Sequence, residues 1–185
     1  MLKGIFLIIG AATCWGMGGV AGQYLYQYHQ ADMIWLCMAR QILAGCMFLL
    51  FAAFVQKQDI FAILKADTWN IIEFSFLGIL GAQLGFYYTI SLCNAATATV
   101  LQYMAPIYVM LWMSYKSRKI PDGRELIGIV GALVGVFLIA THGSIDSLAI
   151  SPMALTIGVL SALSYAYYSI KPGPMLKKYT AATLI

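Results

Sequence analysis

Six runs of roughly 20 mostly apolar residues, joined by short links, constrain this chain more than any motif in it. They lie near 2–22, 33–55, 70–92, 96–115, 125–141 and 152–170. Each is long enough to cross a bilayer, and lipid accepts only backbones that satisfy their own N–H and C=O groups, so each is predicted to be a transmembrane helix. The composition agrees: 62% of residues are hydrophobic and 10% charged, against about half and a quarter in a soluble domain. The predicted fold class is an all-α polytopic membrane protein.

Basic residues set the orientation, because cytoplasmic loops retain Lys and Arg. Of the 11, Lys3, Lys57, Lys65, Lys116, Arg118, Lys119, Arg124, Lys171, Lys177 and Lys178 all fall on one side of the predicted spans. The opposite links, QYLYQYHQAD, CNAA and HGSIDSLAIS, contain none, so the N-terminus is predicted to be cytoplasmic. Lys3 before GIFLIIGAATCWG also fits a secretory signal, but a first membrane helix explains the same pattern and similar runs follow it. The formal net charge of +4 is confined to short loops, which excludes a basic nucleic-acid-binding face. With links this short there is no room for a soluble domain. The bilayer is therefore the first expected partner, as for an integral, multi-pass protein of a bacterial cytoplasmic membrane.

Catalytic chemistry finds little support. Cys14, Cys37, Cys46 and Cys93 lie inside apolar runs without metal-ligand spacing, so they read as packing residues, and no metal or other cofactor is expected. GxxxxGK[ST] and GxSxG are missing, which removes the motifs for nucleotide-driven transport and hydrolysis. Glu73 lies near the cytoplasmic end of the third span, and His29, Asp32, His142 and Asp146 lie on the outer side. Proton carriers of the usual kind are thus absent from mid-span positions.

Polar residues nevertheless interrupt the spans. Thr99, Gln102 or Tyr103, and Pro106 recur every three to four residues in the fourth run, on one helical face. Pro106 is predicted to kink that helix and free a carbonyl, either as a structural bend or as part of a water-accessible cavity. Gln83, Tyr87 and Ser91 form a second stripe, beside a small face of Gly78, Ala82 and Gly85. Gln83 reads as interhelical glue or as a cavity residue. Arg40 lies about seven residues into its span, roughly 10 Å deep, where it either snorkels outward or attracts a carboxylate or phosphate group. Trp15 is a core aromatic or a stacking surface for a flat solute. Gly10, Cys14, Gly18 and Gly22 form a small ridge in the first span, and Gly131 with Gly135 another in the fifth, all expected to pack helices.

An internal repeat adds topology. Sliding SALSYAYYS (161–169) onto AATCWGMGG (11–19) pairs small with small residues and Tyr165 with Trp15, in two helices of opposite orientation. Inverted repeats of this kind build many secondary transporters. ATCWGMGG, Arg40, AATATVLQYMAPIYVML and LIGIVGALVGVFLIA, taken in order, resemble the EamA-like branch of the drug/metabolite transporter superfamily. The likeness makes 1–141 a five-helix EamA-like unit, and 142–185 an external link, a sixth helix and the start of a second unit. Relatives have ten helices in two inverted units and move small organic solutes. By that pattern four helices lie beyond this sequence, so it is expected to be a fragment, a truncated product or half of a split transporter. Many relatives place a glutamate soon after the fourth helix, whereas no acid lies between Leu111 and Ile120 here. The leading expectation is a secondary transporter of a small metabolite or drug-like solute, working by alternating access. The alternative is a non-transporting membrane partner, or a half-transporter acting only in a complex, with a second subunit or self-association supplying the missing helices.

Overall fold

A computed structural model describes residues 2–58, 60–141 and 150–184. Helix α1 is Leu2–His29, and α2 is Met33–Leu50, which runs on through a π-helical stretch, Phe51–Val55. Short α3 (Ile60–Ala66) leads into α4 (Thr68–Glu73), which continues through π-helical Phe74–Leu80 into α5 (Gly81–Leu92). Then come α6 (Ala95–Gln102), α7 (Ala105–Ser117), α8 (Gly123–Thr141), α9 (Pro152–Ile170), α10 (Pro172–Met175) and α11 (Ala181–Leu184).

Five stretches are long and apolar enough to cross a membrane: Gly4–His29, Met33–Val55, Thr68–Leu92, Ala95–Ser117 and Pro152–Met175. The remaining predicted span is α8, whose 19 residues reach roughly 28 Å at 1.5 Å each, close to the thickness of the hydrocarbon core. The chain is an all-α polytopic membrane protein. His142 and Asp146, expected on the outer side, lie outside the described residues.

Local chemistry explains where helices start. Asp32 Oδ1 accepts the Trp35 N–H (2.7 Å), Asn94 Oδ1 the Thr97 N–H (2.8 Å) and Ser151 Oγ the Ala154 N–H (3.1 Å). These side chains satisfy donors that the first turns of α2, α6 and α9 leave open. All three caps stand at the end of the bundle whose links lack Lys and Arg, here called the capped end; the other is the basic end. At the basic end α7 closes on Arg118, which turns into the left-handed region at φ 53°.

Several boundaries differ from expectation by a few residues, and three of the differences are instructive. Helix α1 continues past residue 22 to His29, because nothing in QYLYQYH breaks it until Gln30 turns at φ 51°. The third span begins at Thr68 rather than 70. The fourth is not kinked but broken: α6 ends at Gln102 and α7 starts at Ala105, with Pro106 in its first turn. Proline cannot donate to the Gln102 carbonyl, and an early position in a new helix is where a missing N–H does least harm.

At the centre lies the third span. Helix α5 and its π-helical lead-in pack along α9, while α2 and α1 approach α5 from elsewhere and α9 also meets α6 and α7. Small residues permit this closeness. A Cβ on Gly85 would sit 2.7 Å from Ser161 Cβ, one on Gly78 3.4 Å from Tyr168 Cα, and one on Gly158 2.5 Å from Leu101 Cδ1. On the other side of α5 the core is Met33, Cys37, Phe86, Tyr87, Ile90 and Ala98.

Candidate functional site

A polar layer crosses the bundle at mid-depth. Counting along each helix from the capped end, Arg40, Gln102, Gln83, Ser161 and Gly18 lie roughly 10 to 16 Å in. Arg40, from α2, donates from Nη2 to Gln83 Oε1 on α5 (2.6 Å), and its guanidinium carbon is 5.0 Å from the centre of the Tyr87 ring. The Tyr87 hydroxyl donates to the Gly18 carbonyl on α1 (3.2 Å). The approach is close: a Cβ on Gly18 would come within 3.2 Å of Arg40 Nη1, and one on Gly22 within 2.7 Å of Tyr87 Cε1. Arg40 is half-buried, and its Nε is shielded from solvent without a hydrogen-bond acceptor.

The same layer continues on the far side of α5 through the residue next to Gln83. Ser161 Oγ donates to the Ala82 carbonyl (2.8 Å), and Gln102 Nε2 reaches both Ser161 Oγ and that carbonyl at 3.4 Å. Gln102 is therefore buried between α5 and α9. The Thr99 hydroxyl turns back onto the Ala95 carbonyl of its own helix (2.7 Å). Tyr103 and Pro106 are exposed. The expected single polar face of the fourth span is thus divided, because the break after Gln102 re-aims the residues beyond it. Pro106 instead lines an open cleft of about 900 Å³ between α7, α8 and α9. Its membrane-depth walls, such as Val109, Met113 and Ile129, are apolar, so the cleft resembles a lipid-facing groove more than a polar solute site.

Among the small residues, Gly18, Gly22, Gly78 and Gly85 have close neighbours, whereas nothing lies within 4 Å of a Cβ built on Gly10, Gly131 or Gly135. Among the described residues, those three positions therefore have no neighbour close enough to touch an added Cβ.

From mid-depth an aromatic row descends to the basic end. Trp15 meets Tyr165 edge to face (centroids 5.7 Å), Tyr165 stacks with Tyr168 (5.8 Å), and Tyr168 with Phe74 (5.6 Å). Beneath it, Phe74 joins Met175 and Leu184 in a buried cluster. Glu73 accepts from the Tyr167 hydroxyl (2.6 Å) and from Lys171 Nζ (2.8 Å). Asp67 accepts from Asn70 Nδ2 (3.1 Å) and the Tyr179 hydroxyl (2.9 Å), with Lys178 Nζ at 3.5 Å. Those bonds, Asn70 first and Tyr179 next, hold the Asp67 carboxyl below the usual carboxylate range. Thr180 completes the clasp by donating to Gln56 Oε1 (2.6 Å). Sequence reasoning singled out neither Ser161 nor this clasp. The one available signal was the repeat, which had already set Tyr165 opposite Trp15.

Apolar spans, an interrupted fourth span and a charged mid-depth layer define a polytopic helical membrane protein. The EamA-like transporter family matches residues 2–141, and the chain belongs to that family. A protein of Salmonella typhimurium (strain LT2), described as the uncharacterized inner membrane transporter YicL, is 37% identical over 179 residues. That match covers 96% of this chain and 59% of YicL, so the chain spans about three-fifths of the relative's length. No solved structure matches it.

Proposed function

We propose that this chain forms the solute-handling part of a secondary transporter that moves a small organic molecule across a bacterial inner membrane by alternating access. The observation that carries the reading is the mid-depth layer: Arg40, Gln83 and Tyr87 from two helices converge on Gly18 of a third, where lipid alone would favour no polar group. Family membership and the inner-membrane relative support transport rather than catalysis. Contact between Trp15 and Tyr165, which the internal repeat makes equivalent, supports a two-fold relation between α1 and α9.

On this reading the aromatic row and the clasp close the route to the basic end, and rocking of α9 against α5 opens it. Proteoliposomes loaded with a small-molecule extract of bacterial cells test the proposal, with efflux followed by mass spectrometry. Selective, time-dependent loss of particular solutes supports it, and efflux identical to that of protein-free liposomes refutes it.

A half-transporter that acts only in a complex is the second reading. It is favoured by the open surroundings of Gly10, Gly131 and Gly135, small-residue positions of the kind that pack helices in membranes. Native mass spectrometry from membranes separates the two, since a stable complex with a second membrane chain is required only by the second.

A further inference from the structure

Among the described residues, Arg40 brings a positive charge into the bundle with no carboxylate in an ion pair with it. Among the described residues the ion pairs are Lys171 with Glu73 and Lys178 with Asp67, both at the basic end. One guanidinium donor is occupied, by Gln83 Oε1, while Nε is buried and has no acceptor. Interior charges are normally paired, because the low dielectric makes an unmatched one costly.

The neighbours orient this charge without neutralising it. At residue 83 a glutamate would place a carboxylate where the Gln83 oxygen now stands, 2.6 Å from Nη2, yet the residue is the neutral isostere. The Tyr87 ring, 5.0 Å away, offers only the partial negative charge of an aromatic face. On α1, the bare Gly18 lets Nη1 approach the helix closely, since a Cβ there would stand 3.2 Å from it.

We infer that Arg40 anchors the carboxylate of a small organic monoanion, with Gln83 as the residue that positions the guanidinium; the inference rests on the transport reading above. A carboxylate matches the planar fork of donors and cancels one charge with one charge. A phosphate dianion would leave a net negative charge where no second cation stands among the described partners. A lipid headgroup is the other source of an oxyanion, but Arg40 lies roughly 10 Å along its helix from the capped end, below headgroup level.

Benzoate and its neutral isostere benzamide serve as probes, titrated onto the purified protein in phosphatidylcholine nanodiscs. Affinity is read from the saturable rise in the thermal unfolding midpoint. Benzoate is expected to stabilise the protein and benzamide not. Gln83→Glu, which supplies Arg40 with an internal carboxylate, is expected to weaken benzoate binding by about tenfold or more. Arg40→Gln is expected to abolish the response; if that variant does not fold, Gln83→Glu decides, because it retains the Arg40 contact. Equal stabilisation by benzoate and benzamide, or unchanged benzoate affinity in Gln83→Glu, overturns the inference. Tighter binding of inorganic phosphate than of benzoate overturns the choice of a carboxylate. Loss of the benzoate response when phosphatidylglycerol replaces phosphatidylcholine overturns the solute in favour of a headgroup. Efflux of neutral or cationic solutes alone, with no benzoate binding, removes the anion site and leaves transport standing. Benzoate binding without efflux of any solute supports the site and removes the transport reading.

Discussion

Gly85→Ala tests the helix contact on which the mid-depth layer depends. An added Cβ would stand 2.7 Å from Ser161 Cβ and 3.2 Å from both Ser161 Cα and Oγ. Carbon atoms settle at about 3.5 to 4.0 Å, so the shortfall is on the order of 1 Å. Because one of the crowded atoms is backbone, a rotamer change at Ser161 cannot relieve it, and α5 and α9 must separate. Overpacking of this kind costs about 1 to 3 kcal/mol. Against it stands the gain in helix propensity from Gly to Ala, about 1 kcal/mol, leaving a net destabilisation of about 1 kcal/mol. Gly131→Ala is the matched control, since it makes the same chemical change in a helix with nothing within 4 Å of the new atom. Thermal midpoints of both variants, measured in mild detergent, are expected to move in opposite directions. A coupling of about 1 kcal/mol between Gly85→Ala and Ser161→Gly is expected in a double-mutant cycle. Equal shifts for Gly85→Ala and Gly131→Ala would refute the close approach of α5 and α9, and with it the extension of the layer from Ala82 to Ser161.

Gln102→Leu is expected to destabilise by less than about 1 kcal/mol by unfolding midpoint, because both its bonds are long and Ser161 still donates to the Ala82 carbonyl at 2.8 Å. Acid is expected to loosen the clasp. The Asp67 carboxyl is depressed in the folded protein, so its contribution is present above the unfolded value of about 3.9 and is lost as pH falls through the lower folded value. A spin label at Ala181 should gain mobility over that acid range, and Tyr179→Phe should make it partly mobile already at neutral pH. Lys171→Met is expected to leave the unfolding midpoint almost unchanged, since the Lys171–Glu73 pair is partly exposed and screened by solvent. The variant should also lose whatever salt dependence this pair gives the wild type.

Much of the fold was legible because lipid imposes so narrow a grammar. Met33–Val55 forms where an apolar run between Asp32 and Gln56 predicts it, and Ser151 and Pro152 mark the start of α9 by cap and ring chemistry. The π-helical stretches at Phe51–Val55 and Phe74–Leu80 carried no comparable signal. Residues there have ordinary helix-compatible identities, and what sets these stretches apart is visible only in the fold, where Tyr168 and Met175 pack on Phe74 and α11 meets Phe51–Val55. Pro106 was legible as a disturbance but not as a break, since proline chemistry permits both outcomes and tertiary contacts choose between them.

The site divides along the same line. Spacing by four put Gln83 and Tyr87 on one face of α5, and depth alone made Arg40 unusual, yet only the crossing of α2 over α5 brings them within a hydrogen bond. Gln102 shows the reverse: by spacing it shares a sequence face with Thr99 and Pro106, but the break after it leaves Gln102 buried on Ser161 and turns Pro106 outward. Glycine ridges are likewise ambiguous in sequence. Gly85 and Gly131 recur at the same helical spacing, and what distinguishes them is whether a neighbouring helix has arrived. Periodicity therefore identifies residues capable of polar or close contact, whereas the crossing helix decides which of them becomes a site.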